Sequence, residues 1–148
     1  MQSPNSIQVL LRVRSLKEEI EERKLAGIIA SLRVAQAELA KLSLELASVT
    51  TSRLSEVKYI LPNTHHQAVE LHSRSLWRRC ADLAGQIEKL EEVRAQQMSA
   101  YLSVRREREV MESLNKSRTD ALEMERNRRE QKLNEDLFLA RLVAKWDI

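Results

Sequence analysis

The sequence predicts an all-α chain, a long two-helix antiparallel coiled-coil hairpin whose second helix is the longer and carries a C-terminal overhang. Three observations predict it. Gly and Pro occupy only four of the 148 positions, so a sheet with its many reversals has nowhere to bend. Aromatic residues make up 3% of the chain and charged residues 32%, the profile of long helices and not of an α/β enzyme. Apolar residues recur at alternating steps of three and four, the spacing of a coiled-coil seam.

The first helix is expected over about 7–59, where there is no Pro and one Gly. Its stripe runs through Leu25, Ile28, Leu32, Ala35, Leu39, Leu42, Leu46 and Val49. Upstream, Val13, Leu16 and Ile20 keep the spacing in another phase, so the stripe is expected to slip between Ile20 and Leu25, with a local change of supercoil. A loop is expected at about 60–64, because Pro62 removes a backbone donor and biases the residue before it away from helix. Thr64 stands three residues before Gln67, the spacing of a capping box, so the second helix can start at once and is expected over about 65–144. Leu76, Cys80, Leu83, Ile87 and Leu90 repeat the seam there, before Tyr101 and Val104. The polar Arg94 and Gln97 interrupt it, the kind of position that fixes register.

A short loop makes the helices antiparallel neighbours. Folding at Pro62 to Thr64 would set Leu46 against Cys80, Leu39 against Ile87 and Leu25 against Tyr101. Gly27 would lie opposite Ser99 and Ala100, where small side chains let backbones approach. The second helix is too long to be covered, and pairing is expected to end near Thr119. From Arg105 to Asp136, 18 of 32 residues are charged, so the uncovered stretch is a polar stalk. It ends in the apolar run Leu137-Phe138-Leu139-Ala140-Arg141-Leu142-Val143-Ala144 and then Trp146, a tip suited to insertion in another protein.

Several function classes are excluded at this level. Gly27 and Gly85 are isolated within helices, so no phosphate-cradling loop exists, and no cofactor is expected. His65, His66, His72 and Cys80 match no zinc spacing. Glu18, Glu19, Glu21 and Glu22 distribute around a helix with no cavity to raise a carboxyl pKa, so the chain is read as non-enzymatic. Net charge is only +3, and glutamates interleave with the arginines of Arg105-Arg106-Glu107-Arg108 and Arg126-Asn127-Arg128-Arg129. These clusters therefore suit an acidic or mixed protein surface better than nucleic acid. Met98, Met111 and Met124 recur every 13 residues and are read as seam fillers. The single Cys80 forms no internal disulfide, and Gln8 and Arg12 interrupt the N-terminal apolar stretch as they would not in a signal peptide, so the chain is read as cytoplasmic. No apolar run approaches the roughly 20 residues needed to insert in a bilayer.

The start Ile7-Gln8-Val9-Leu10-Leu11-Arg12-Val13-Arg14, a hairpin of this length, the stretch Arg105-Arg106-Glu107-Arg108-Glu109-Val110-Met111-Glu112-Ser113-Leu114 and the stretch Arg128-Arg129-Glu130-Gln131-Lys132-Leu133-Asn134-Glu135 together resemble the flagellar export FliJ family. The resemblance implies a coiled coil similar to the rotor stalk of F-type ATP synthases, with its free termini in a hexameric flagellar export ATPase and its loop-proximal half on an export-gate membrane protein. It implies ATPase-ring contacts at Arg126, Arg128, Arg129, Gln131, Lys132, Leu137, Phe138 and Leu142, and export-gate contacts at Leu42, Val49, Leu76 and Leu83. It further implies a peripheral place at the inner membrane, a handling role toward export chaperones, and a monomer when free. The alternatives are the equivalent stalk of a virulence type III secretion system, and a free coiled-coil adaptor that dimerises through the overhang.

Overall fold

The computed structural model describes residues 4–56 and 63–146, and the side chains of 6–52 and 65–146. Helix α1 runs Pro4–Glu56 over 53 residues and helix α2 runs Asn63–Trp146 over 84, with no strand among the described residues. The fold is therefore all-α, two long helices, the second much the longer. Pro4 suits the first turn of α1, where its missing N–H would have had no helical acceptor. Inside the helices, hydroxyls return to the carbonyl one turn back: Ser31 Oγ donates to Gly27 O at 3.1 Å and Thr50 Oγ1 to Leu46 O at 2.9 Å. Residues otherwise inclined to turns thereby stay helical without an unsatisfied polar group. The expected loop, apart from Asn63 and Thr64 at the start of α2, and the side chain of the capping residue Thr64 lie outside the described residues.

Contacts divide the chain into two compact units, residues 19–103 and residues 1–18 with 104–148. In the first unit the seam follows the three-four spacing. Leu25, Leu32, Ala35, Leu42 and Leu76 are buried, and Ile28, Leu39, Leu46, Val49, Cys80, Leu83, Ile87 and Leu90 are half-buried between them. Two helices shield only a narrow strip, so full burial is reached at five side chains among those described, all in this unit.

The pairing here lies about one turn away from the expected register. Glu38 shares a groove with Leu83, and Ala30 and Val34 share it with Gln86 and Leu90, whereas the sequence reading set Leu39 against Ile87. The physical reason is the placement of the helix ends. The expected register turned the chain about Pro62 to Thr64, but Asn63 and Thr64 already belong to α2. Gly27 also departs from expectation. A methyl group built on it would meet nothing within 4 Å, so it stands on an outer face and permits no close backbone approach.

The second unit has a different seam. Its seam runs through the half-buried Ile7, Leu11, Arg14 and Glu18 on α1, and Val104, Arg108, Met111, Asn115 and Arg118 on α2, with Ser6 and Ser15 half-buried beside them. No described residue here is fully buried. The stripe does not slip as expected. The three-four phase of Leu25 continues unbroken through Glu21, Glu18, Arg14 and Leu11, and polar groups simply take seam positions. Val13 and Leu16, expected as seam residues, are exposed, as is Ile20 in the neighbouring unit. Their alternative phase would have placed Arg14 and Glu18 outward and discarded the ion pairs they make across to α2. Beyond Arg118, every described residue to Trp146 is exposed. At roughly 1.5 Å per residue, this stretch extends about 40 Å without a covering helix.

Candidate functional site

The polar seam positions come first, because they fix which part of α2 is covered. Arg14 pairs with Glu107, and Arg108 with Glu18, in each case across the helices. Arg108 also reaches Glu112 on its own helix at 2.6 Å. The Glu18 carboxylate, by accepting from its guanidinium, raises the Arg108 pKa further above its ordinary value. In the other unit the Gln97 amide donates both to the Glu21 carboxylate and, at 3.2 Å, to the Glu21 backbone carbonyl. Gln97 is thus a register device, as its place in the seam suggests. A polar group at such a position is satisfied by one partner, and a slip of one turn would leave it without that partner.

The Gln97 hydrogen bond holds the Glu21 carboxyl below its usual 4.5, aided by Lys24 and opposed by partial burial. A carboxyl with a depressed folded pKa stabilises the fold above its unfolded value, and that contribution is lost as pH falls through the folded value. Between about pH 5 and about pH 3 the urea midpoint should therefore fall more for the natural chain than for Glu21→Gln. Equal falls in the two proteins would remove Glu21 from the account.

The uncovered segment, 119–146, holds every residue expected to touch the ATPase ring, and all eight are exposed. Arg129 is engaged by Glu125 at 2.9 Å, the favourable order with the acid one turn toward the N-terminus. Gln131 donates to Glu135 at 3.5 Å. Among the described residues, Arg126, Arg128 and Lys132 make no ion pair, so three cations stand ready for an external acid. Leu137, Phe138 and Leu142 form the tip, and four residues outside the expected set join them. Leu133, Leu139, Val143 and Trp146 are exposed as well. At about 100° per residue, these seven side chains spread over most of the circumference, leaving one sector to Asn134, Arg141 and Lys145. The apolar run around Arg141, with Trp146 after it, was the signal that could have added Leu139, Val143 and Trp146.

The expected export-gate residues sit differently. Leu42 and Leu76 are buried, at 7% and 2% exposure, and face the neighbouring helix, so their side chains serve the pairing and offer nothing to a surface partner. Val49 and Leu83 are half-buried. Depressions along α2, such as the one lined by Asn127, Gln131, Asn134 and Phe138, are open grooves between side chains of a single helix. Such grooves do not enclose a small substrate. Among the described residues no group of three His, Cys, Asp or Glu side chains gathers as a metal site, and no helix is long and apolar enough to cross a membrane. Of the methionines, Met98 and Met111 are half-buried while Met124 is exposed on the uncovered segment.

Two helices with one end uncovered are a geometry shared by many proteins, so the sequence pattern must decide between them. Residues 3–145 match the family described as Flagellar FliJ protein. The chain belongs to the FliJ family. The match covers nearly the whole length, so both helices and the uncovered segment are family features. Comparison with curated proteins and with solved structures finds no match. Membership suggests a flagellar export stalk protein.

Proposed function

We propose that this FliJ family member is the non-enzymatic stalk of the flagellar type III export ATPase. It inserts its terminal end in the hexameric ring, promotes ring assembly and hydrolysis, and links the ring to the export-gate membrane protein. The observation that carries this reading is the wide exposed apolar face of the tip from Leu133 to Trp146. A narrow apolar stripe is covered by one neighbour, whereas apolar side chains spread over most of a helix need neighbours on several sides. A ring of subunits supplies such an enclosure. Arg126, Arg128, Arg129, Gln131 and Lys132 then meet the wall of the ring, with Leu137, Phe138 and Leu142 deeper inside.

One asymmetric stalk in a six-fold ring cannot contact all subunits alike. It therefore favours different conformations in different subunits, to the extent that its contacts differ between them. The ATPase performs the chemistry, and the stalk shifts its populations. On the export-gate side, Val49 and Leu83 are the accessible members of the expected set, while Leu42 and Leu76 act by holding the pair together. This arrangement places the chain at the cytoplasmic face of the inner membrane, bound through its partners, and leaves room for contacts with export chaperones.

The test is direct. Mixing the purified chain with its cognate export ATPase should raise the hydrolysis rate several-fold and increase the fraction of ring-sized particles. An unchanged rate at saturating chain would overturn the stalk reading. A stable dimer of the chain alone, independent of concentration, would favour an adaptor instead.

A further inference from the structure

The outer face of α1 near its start carries an arrangement that neither the seam nor the overhang uses. Val9, Val13 and Leu16 are exposed at 59%, 42% and 51%. Their spacing of four and three residues lines them up along one face of the helix, on the side away from the seam residues Leu11, Arg14 and Glu18. Arg12 flanks this stripe on one side and Lys17 on the other. Neither has an ion-pair or hydrogen-bond partner among the described residues, and no acidic residue occurs between Pro4 and Lys17. The neighbouring cation Arg14 is committed to Glu107 across the seam.

An apolar stripe with anchors at this spacing is the form in which a helix enters an apolar groove on a partner, and the flanking charges say what rims that groove. We propose that Val9, Val13 and Leu16 dock in an apolar groove or against an apolar helix face of another protein, rimmed by carboxylates that pair with Arg12 and Lys17. A membrane surface is the poorer fit. An interfacial helix needs a broad apolar face and a cluster of cations, whereas α1 has one side occupied by α2 and only two free cations here. A second copy of this chain would have to leave the same stripe facing its own cations, which repels.

A synthetic helical peptide with a leucine stripe flanked by glutamates provides the probe, with the same peptide carrying lysine flanks as its comparison. The full chain, labelled at its methyl groups, reports binding by shift changes at Val9, Val13 and Leu16. The glutamate peptide should bind at least tenfold more tightly than the lysine peptide, and 0.5 M salt should weaken it. The paired reversal Arg12→Glu with Lys17→Glu should invert the preference. Val13→Asp with Leu16→Asp should abolish binding while leaving helicity intact, because both side chains point away from the seam. Equal binding of the two peptides, no shift at the three methyls, or shifts elicited instead by vesicles rich in phosphatidylglycerol would each overturn the proposal. So would concentration-dependent self-association through the same methyls.

Discussion

Leu76→Asp is expected to unfold the seam around it, whereas Trp77→Ser, one residue along, leaves stability within about 0.5 kcal/mol of the natural chain. Ranked by hydrophobic bulk, the two would be ordered the other way. Leu76 is 2% exposed and is the one described side chain to reach that depth, while Trp77 is 65% exposed. Truncating a buried leucine to alanine costs about 2–5 kcal/mol, the sum of lost transfer energy and the cavity left behind. An aspartate adds the cost of setting a carboxylate in a buried position. A two-helix pair has few other buried groups to absorb that loss, since among the described residues only Leu25, Leu32, Ala35 and Leu42 are buried with it. Urea titration followed by circular dichroism at 222 nm measures both variants. A Leu76→Asp protein with an unchanged midpoint would mean that this seam does not hold the helices together. Leu76→Ala serves as the intermediate case, folded with a lowered midpoint, so the ordering can be tested even where the aspartate variant yields no soluble chain.

The same contrast shows how much of the fold the residues disclose. Breaks and helix lengths follow from the scarcity of Gly and Pro. The seam from Leu25 to Val49 is legible because each of its positions is apolar. Register was harder, since apolar seams match at more than one offset. The deciding groups are the polar pairs, Glu21 with Gln97 and Arg14 with Glu107, whose partners cannot be inferred from spacing alone. The first two dozen residues mislead for a related reason. Hydrophobicity points to Val13, Leu16 and Ile20, but a seam occupied by paired charges can outcompete a more apolar phase when each charge finds its counterpart across the interface. Stepping back from Leu25 by alternating fours and threes would have found Glu21, Glu18, Arg14 and Leu11. Of the site, the cations and the tip were legible as composition. That the apolar groups spread over most of the circumference needed the helix to be continuous to Trp146, and that Leu42 and Leu76 face the neighbouring helix needed their burial.

Replacing Leu137, Phe138 and Leu142 together by serine should reduce stimulation of the export ATPase at least tenfold, and deleting all residues after Arg126 should abolish it. Neither change should lower the urea midpoint of the remaining chain. The reasoning is that all three side chains are exposed, Phe138 at 64%, so their removal creates no cavity and takes nothing from either seam. Their apolar area is buried only in the complex, at roughly 25 cal/mol per Å², so three such groups amount to several kcal/mol of binding and hence orders of magnitude in affinity. The cations should behave differently. Arg126→Ala with Arg128→Ala and Lys132→Ala should weaken the interaction mainly by slowing association, with the loss shrinking as salt rises, because exposed charges steer more than they hold. Hydrolysis rates over a range of chain concentrations, read beside thermal melts of the same variants, separate the two effects. If the serine variant stimulates as well as the natural chain, the tip is not enclosed, and the exposed apolar face from Leu133 to Trp146 would have to serve some partner other than the ring. If instead the variant loses helicity, the exposed tip is contributing to the fold, and the assumption that it waits for an external wall is wrong.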